Sequence, residues 1–333
     1  MTADAFGRPL RDLRISVTDR CTFRCVYCMP REIYDDHEYL PRAEILTYDE
    51  ITRVARIAAG LGVSKIRLTG GEPLLRRELA KLVSLLSDID GIEDLALTTN
   101  GQLLAAQATD LAEAGLDRIT VSLDGLDDEV VKRLIDTDVP VRTVLDAIDA
   151  ASEAGLGPIK INTVVRRGWN EEEVLPLVDH FRGTGHTVRF IEYMDVGTSN
   201  NWKSDEVVSS AELLSIVGAK WPLEPLDPAY RGEVAAQYAF TDGGGTVGFI
   251  SSVSEPFCGD CTRLRLSADG SLYTCLFASS GTDVKHVLRS DATDDDLGEL
   301  LKSQWRSRED RYSELRGGVP LDMPRVEMSY IGG

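Results

Sequence analysis

The sequence predicts an α/β fold, an incomplete parallel (β/α)6 barrel of the TIM type followed by a smaller C-terminal region. Between residues 11 and 194, short apolar runs alternate six times with helical patterns, and glycines mark the short connections. Strands that alternate with helices imply a parallel sheet with right-handed crossovers. Six units are too few for a closed eight-fold barrel, so we expect an open one, with a doubly wound sheet as the alternative.

Each predicted unit begins with a short apolar strand and a loop, and an amphipathic helix follows in all but the last. The expected strands cover residues 13–18, 65–69, 94–99, 118–123, 159–165 and 188–193. The expected helices cover residues 48–61, with Thr47 as the N-cap, 78–89, 103–114, 141–154 and 172–182. The unusual loops all follow strands, where barrels of this type carry their chemistry.

The pattern changes after residue 194. Residues 195–250 are rich in Gly, Pro, Asp and Trp, residues 247–251 and 262–267 are typical of strands, and residues 297–306 are typical of a helix. We therefore predict a barrel domain over residues 1–200 and a C-terminal region over residues 201–333.

Composition and charge exclude some classes of function. The formal net charge of −19 disfavours binding to nucleic acid polymers or anionic membranes, although a pocket with local arginines is compatible with a small anionic substrate. No apolar run reaches the roughly 18 residues of a spanning helix, and residues 1–9 lack the layout of a secretory signal. A cytoplasmic location is expected.

The first group of cysteines has the spacing C-x3-C-x2-C. The six cysteines form two trios, and a mid-sized chain without an export signal favours metal binding over disulfides. Cys21, Cys25 and Cys28 can wrap one compact iron–sulfur cluster, and three thiolates leave one iron with an open position. A structural zinc loop is the alternative.

The second trio repeats the theme of three ligands. Cys258, Cys261 and Cys275 can hold a second cluster, with a zinc knuckle completed by a histidine as the alternative, although the four histidines show no such spacing. Arg263 and Arg265 follow directly and share one face of a strand. Paired guanidinium groups suit a phosphate-rich ligand.

The first trio, with an aromatic residue before its third cysteine, resembles the radical S-adenosylmethionine (SAM) superfamily. The resemblance implies that the open iron chelates SAM, whose reductive cleavage yields a 5′-deoxyadenosyl radical. Residues 70–73, Gly-Gly-Glu-Pro, resemble the loop that meets the amino group of SAM. The implied SAM-binding residues are Tyr27, Gly71, Ser122 and Met194.

Nearly the whole chain resembles the GTP 3′,8-cyclase family of molybdenum-cofactor biosynthesis. The similar segments are residues 12–21, 65–73, 97–101, 160–162, 189–197, 248–251 and 257–266. The resemblance implies two [4Fe-4S] clusters, the second of which binds the guanine edge of GTP through its open iron. The implied GTP-binding residues are Arg14, Arg67, Thr98, Lys160, Arg263, Leu264 and Arg265, with Arg189 close by.

The residues themselves support a cationic interior. Arg14, Arg67, Lys160 and Arg189 lie on predicted core strands, where an inward-facing cation is costly unless it is paired. Together they would form a positive lining in an acidic protein, as the roughly four negative charges of GTP require.

The chain ends in Gly332-Gly333, and the resemblance implies that this tail reaches into the active site. A terminal Gly-Gly is otherwise typical of a frayed end. Residues 31–39 and 222–240 depart from the family pattern and contain none of its motif residues.

The reaction implied by the resemblance abstracts hydrogen from C3′ of GTP and joins C3′ to guanine C8, giving (8S)-3′,8-cyclo-7,8-dihydro-GTP. The implied partners are GTP, an electron donor such as a flavodoxin or ferredoxin, and the next pathway enzyme, cyclic pyranopterin monophosphate synthase. Both a monomer and a homodimer stay open. The alternatives are a radical SAM enzyme that modifies a peptide, with the second cluster as an auxiliary one, and a non-catalytic zinc-binding module.

Overall fold

A computed structural model describes residues 2–316 and 324–332 and contains one twelve-stranded sheet. Its strand order is β12-β11-β10-β1-β2-β3-β4-β5-β6-β9-β8-β7. The strands are β1 (Asp12–Ser16), β2 (Lys65–Thr69), β3 (Asp94–Thr99), β4 (Arg118–Ser122), β5 (Lys160–Val165), β6 (Thr187–Glu192), β7 (Leu223–Pro225), β8 (Ala236–Phe240), β9 (Thr246–Ile250), β10 (Arg263–Leu266), β11 (Ser271–Tyr273) and β12 (Thr282–Asp283).

Helices follow most of the barrel strands, and further helices lie in the C-terminal region. They are α1 (Arg31–Tyr34), α2 (Tyr48–Leu61), α3 (Leu79–Ser87), α4 (Ala108–Glu113), α5 (Asp128–Ile135), α6 (Val141–Glu153), α7 (Val174–Phe181), α8 (Ser210–Lys220), α9 (Lys285–Leu288), α10 (Asp294–Arg306), α11 (Tyr312–Leu315) and α12 (Met328–Ile331). In the ranges just named, no helix has both the length and the apolar character needed to cross a bilayer.

The parallel part of the sheet confirms the incomplete barrel and extends it. The six predicted strands become β1–β6, paired in parallel in chain order. The C-terminal region adds one parallel strand at each edge, β9 beside β6 and β10 beside β1. The parallel run therefore has eight strands rather than six, and strands from both predicted segments share one sheet.

Alternation along the strands separates the core from the interior of the barrel. On β1 and β2, Leu13, Ile15, Ile66 and Leu68 are fully buried in the hydrophobic core. Arg67, between the last two, lines the cavity inside the barrel. Because successive side chains on a strand point in opposite directions, adjacent apolar and cationic residues can serve the two layers at once.

Most predicted helices are confirmed with shifted ends. Helix α2 begins at the predicted cap, because Thr47 accepts from the backbone N–H of Glu50 and the Glu50 carboxylate accepts from the N–H of Thr47. Six of the helices named above were not predicted: the four-residue α1, α9, α11 and α12, the eight-residue α5, and α8, whose apolar residues do not keep to one face. Helix α5 bears on the site, because its last carbonyls hold the loop of the first cysteine trio.

Candidate active site

A single cavity inside the barrel is lined by all six cysteines and by all of the predicted SAM-binding residues. The first trio lies beyond the C-terminal end of β1. The second lies near the opposite strand ends, because Cys261 precedes β10 and Cys275 follows the antiparallel β11. The two trios therefore border the same cavity from its two ends.

The loop of the first trio is fixed by backbone hydrogen bonds. The N–H groups of Arg24 and Val26 each donate to the final carbonyls of α5, those of Ile135 and Leu134, at 2.9 Å. Within the loop, the N–H of Cys28 donates to the carbonyl of Cys25, also at 2.9 Å. These contacts hold the cysteines in place without using their side chains, so the thiols stay available as ligands.

The three cysteines of this loop lie together and are partly buried. Burial and then the Glu72 carboxylate raise the pKa of Cys21 to about 11. Burial raises the pKa of Cys25 well above its usual value, and the neighbouring Cys21 and Cys28 raise it further. Three thiolates this close repel one another unless a cation lies among them, so the trio suits a positively charged metal group.

The Gly-Gly-Glu-Pro loop packs directly on the first trio. A Cβ atom at Gly70 would collide with the carbonyl of Thr18, and one at Gly71 with the carbonyl of Arg20. The atoms that require glycine thus belong to the cysteine loop itself. The resemblance places this loop beside SAM, and the structure shows that its glycines make room for the backbone before Cys21.

Glu72 connects this loop to the end of β3. Its carboxylate accepts from the N–H groups of Leu74, at 3.0 Å, and Asn100, at 2.8 Å, and from the Thr99 hydroxyl at 2.8 Å. Burial raises the pKa of Glu72 to about 7. The side-chain amide of Asn100 in turn lies 3.9 Å from the sulfur of Cys21.

Among the predicted SAM residues outside that loop, Tyr27 contacts Asp124. The Tyr27 hydroxyl donates to the Asp124 carboxylate at 2.5 Å, and the N–H of Val164 donates to it at 2.9 Å. Burial raises the pKa of Asp124 to about 6. Ser122 ends β4, Met194 follows β6, and both line the cavity.

The second trio is surrounded by arginines. Arg308 donates to the carbonyl of Cys261 at 2.7 Å, and Arg8 to the carbonyl of Cys258 at 2.8 Å. Arg263 donates to the Cys261 sulfur from Nε at 3.3 Å and from Nη2 at 3.2 Å. Burial raises the pKa of Cys261, but Arg263 and then Arg308 outweigh it and lower that pKa to about 6.

The cavity wall between the two trios is cationic, as predicted. Arg67 donates to the hydroxyls of Thr98 and Thr120, each at 3.0 Å, and Arg189 donates to the Asn162 side-chain oxygen at 3.0 Å. Among the residues with described positions, no carboxylate forms an ion pair with the predicted lining cations Arg14, Arg67, Lys160, Arg189, Arg263 and Arg265.

The cost of this arrangement appears in the pKa values. Burial lowers the pKa of Lys160 to about 7, with Arg189 as the next cause, and burial lowers that of Arg189 to about 9. Burial also lowers the pKa of Arg14, followed by Arg265 and Arg263. Buried cations without counter-charges are unfavourable, so this wall suits a polyanionic ligand.

One predicted GTP residue differs from the others. The side chain of Leu264 is fully buried in the hydrophobic core and pairs in register with Leu13 of β1. Arg263 and Arg265, on either side of it, face the cavity. Strand alternation therefore leaves only the backbone of Leu264 to take part in a site.

The C-terminal tail approaches the cavity. Arg265 donates to the carbonyl of Gly332, and a Cβ atom at Gly332 would collide with the Thr69 hydroxyl. The Tyr34 and Ser329 hydroxyls lie 3.3 Å apart, and Ser329 lines the cavity. Gly333, the other predicted tail residue, lies outside the described residues.

Asp195 contacts the chain segments on both sides of residues 317–323. Its carboxylate accepts from Arg316 and Arg325, each at 2.9 Å, and from the Tyr312 hydroxyl at 2.5 Å. It follows Met194 directly, so the same turn holds a cavity residue and the start of the tail. The side chain of Asp195 is almost fully buried.

Several cavity residues were not predicted. They are Lys65, Glu72, Asn100, Asp124, Tyr230, Glu233 and Arg308, and only the first four lie inside a motif or at a strand end. Tyr230 and Glu233 lie within residues 222–240, which carried no motif at all.

Two family models match the chain in succession. The model of the Radical SAM superfamily matches residues 15–181, and that of Molybdenum Cofactor Synthesis C matches residues 186–314. A curated GTP 3′,8-cyclase of Acidothermus cellulolyticus is 51% identical over 99% of this chain and 98% of its own length. A curated GTP 3′,8-cyclase of Xanthomonas axonopodis pv. citri is 54% identical over 99% of this chain and 98% of its own length.

Solved structures agree on the fold at low sequence identity. The crystal structure of Streptococcus suis SuiB bound to S-adenosylmethionine has a TM-score of 0.65 and 17% identity. The match covers 96% of this chain and 76% of that one.

Proposed function

The chain belongs to the GTP 3′,8-cyclase family of the radical SAM superfamily, and on that premise we propose that its cavity binds GTP and SAM and converts GTP to (8S)-3′,8-cyclo-7,8-dihydro-GTP. The family functions in molybdenum-cofactor biosynthesis and uses SAM with an iron–sulfur cluster. The observation that carries the proposal is the wall of predicted lining cations between the two cysteine trios, which form no ion pair with a carboxylate among the described residues.

Cys21, Cys25 and Cys28 would hold the cluster that binds SAM. Their mutual burial fits a cationic group, and their backbone is held by α5 rather than by their own side chains. Once bound, the cluster supplies the electron that cleaves SAM.

We propose that Tyr27, Gly71, Ser122 and Met194 form the SAM-binding wall. Tyr27 is oriented by its hydrogen bond to Asp124, and Gly71 lets the 70–73 loop pack on the backbone before Cys21. Both contacts support the proposal because they connect each of these residues to the first trio or to a neighbouring strand end. These four residues would orient SAM relative to GTP.

We propose that Cys258, Cys261 and Cys275 hold a second cluster. The Arg263 and Arg308 guanidinium groups stabilise the thiolate form of Cys261, which is the form that binds metal. Arg263 then has a second role besides phosphate binding, since it already contacts a ligand sulfur. The division into a barrel over residues 1–200 and a C-terminal region over 201–333 belongs to the same proposal.

The cations would hold the triphosphate, and the tail would narrow the cavity. We propose that Arg14, Arg67, Lys160, Arg189, Arg263 and Arg265, with Thr98 and the backbone of Leu264, bind GTP. A fixed guanine and a fixed triphosphate leave the ribose little freedom, so that C3′ and C8 stay close together; this is catalysis by positioning. Gly332 and Gly333 would border the same space.

The reaction needs an outside electron donor, and a flavodoxin or ferredoxin has the required chemistry. We also propose a cytoplasmic location, because a reducing compartment keeps six clustered thiols free of disulfides. Contact with cyclic pyranopterin monophosphate synthase is a further expectation.

The test uses anaerobically reconstituted enzyme with SAM, dithionite and GTP. We expect about eight irons per chain, and formation of 5′-deoxyadenosine together with the cyclised nucleotide. Cys258→Ala should retain about half of the iron, and Cys25→Ala should form no 5′-deoxyadenosine. Formation of 5′-deoxyadenosine without consumption of GTP would overturn the substrate assignment and leave a peptide-modifying enzyme as the better explanation. Stoichiometric zinc without iron would overturn the assignment as a radical SAM enzyme.

A further inference from the structure

A ten-residue segment crosses the open side of the barrel. Residues 226–235, which we call the strap, join β7 to β8 beside β9, at one edge of the parallel strands. Arg231 forms an ion pair with Asp260 at 2.8 Å, and Gly232 lies against the Asp260 carbonyl and Thr262. Because these two residues precede β10, the strap connects the two edges of the parallel run.

Tyr230 is the residue of the strap that contacts the opposite wall. Lys65, the first residue of β2, donates from Nζ to the Tyr230 hydroxyl at 3.2 Å. The Tyr230 ring lies 5.1 Å from that Nζ and 4.8 Å from the guanidinium carbon of Arg11. Lys65 also forms an ion pair with Asp94 at 3.0 Å. Tyr230 and Asp94 thus hold the Lys65 ammonium group from two directions.

The wall that Tyr230 contacts is a cationic part of the cavity. Lys65, Arg67, Lys160 and Arg189 all line it, and we call them the cationic ring. They lie close enough for Arg189, Lys65 and Arg67 each to lower the pKa of Lys160 after the larger effect of burial. Tyr230 therefore contacts the cationic ring through Lys65.

Hydrogen-bond capacity remains at this position. An ammonium group has three N–H donors, and Tyr230 and Asp94 account for two of them. A phenol that accepts from Lys65 still has its own O–H to donate. A phosphate oxygen that reached Lys65 could accept from both groups at once.

We propose that the strap makes the cavity specific for a nucleoside triphosphate, with Tyr230 as the positioning residue that holds Lys65 where the outermost phosphate reaches it. The inference rests on the proposed function, since it assumes that GTP occupies the cavity. If only the outermost phosphate reaches Lys65, the binding of shorter nucleotides is independent of Tyr230. The strap lies within residues 222–240, which depart from the family pattern.

The test measures equilibrium binding of GTP, GDP and GMP to the reconstituted enzyme without reductant, so that no turnover occurs. Tyr230→Phe keeps the ring over Lys65 and Arg11 and removes only the hydroxyl. We expect its Kd for GTP to rise about fivefold to tenfold, and those for GDP and GMP to change less than about twofold. Tyr238→Phe, on the same hairpin but outside the cavity, is the matched control and should bind all three nucleotides as the wild type does.

A second variant tests whether Tyr230 acts through Lys65. In a Lys65→Met background, Tyr230→Phe should cause no further loss of GTP affinity, because the two substitutions remove the same arrangement. Trypsin cleavage after the exposed Arg231 reports the position of the strap, and Tyr230→Phe should leave its rate unchanged.

Three other outcomes would contradict the inference or the proposed function. An unchanged Kd for GTP in Tyr230→Phe overturns the inference while the proposed function stands. Equal losses for GTP and GDP also overturn it, because Tyr230 would then support the cavity without regard to phosphate number. If the wild-type enzyme binds none of the three nucleotides, the proposed function is overturned, and this inference with it.

Discussion

Arg263 donates two hydrogen bonds to the sulfur of Cys261, and so one residue serves the second cysteine trio and the cationic wall together. The guanidinium group favours the thiolate, and Arg308 adds to the effect. A cysteine with a pKa of about 6 is mostly ionised at neutral pH, which prepares it for metal.

Replacing Arg263 should therefore reduce the reactivity of the Cys261 thiol. In metal-free protein at pH 7, we expect Arg263→Gln to slow alkylation of Cys261 about tenfold, because the pKa rises when the nearest positive charge is lost. Peptide mass spectrometry after a timed iodoacetamide reaction measures the rate. Arg289→Gln, a surface substitution, is the control, and equal rates in the two variants would contradict the role of Arg263.

The packing of Gly71 on the cysteine loop predicts a specific loss of iron. Gly71→Ala would displace the backbone before Cys21, so we expect about half of the iron to be absent after reconstitution and no cleavage of SAM. Iron analysis and the yield of 5′-deoxyadenosine measure this. Gly60→Ala, in α2 with open space around it, should retain all of the iron and stabilise the fold by about 0.5–1 kcal/mol.

Asp195 should stabilise the fold more strongly than any surface carboxylate. Asp195→Asn removes a buried charge between two arginines, and we expect the free energy of unfolding to fall by about 3–5 kcal/mol. Asp179→Asn, which removes an exposed ion pair with Lys220, should change it by less than about 1 kcal/mol. Urea denaturation measures both, and similar values would show that the buried cluster adds no special stability.

Lys160 predicts a pH dependence of GTP binding. Its pKa of about 7 in the free enzyme should rise when phosphates bind nearby, so binding takes up a proton above pH 7. GTP affinity should then fall by up to about tenfold per pH unit between pH 7 and 9.

Titration calorimetry in buffers of different ionisation enthalpy measures the proton uptake. Lys160→Arg should bind GTP without it, since arginine stays charged throughout this range. Uptake that persists in Lys160→Arg would assign the proton to another group.

The barrel itself could be predicted because its signals are local. The strands from 65–69 and 94–99 were predicted to the residue, and Thr47 was the cap expected for α2. The short α5 and the weakly amphipathic α8 were missed because the stability of such helices comes from tertiary packing. The cavity cations could be named, and strand alternation already placed Arg263 and Arg265 on one face, but only the structure shows that this face borders the cavity and that Leu264 lies in the core.

The sequence by itself determined the two cysteine trios, their spacing and the cations on the inner strands, because these depend on neighbours within a few residues. Only the tertiary structure decided that both trios border one cavity, that Gly71 makes room for the cysteine loop, and that the strap brings Tyr230 to Lys65. The contact between Tyr230 and Lys65 joins residues 165 positions apart, and that between Arg8 and Cys258 joins residues 250 apart. Such contacts depend on how the whole sheet is ordered, and no local pattern contains that information.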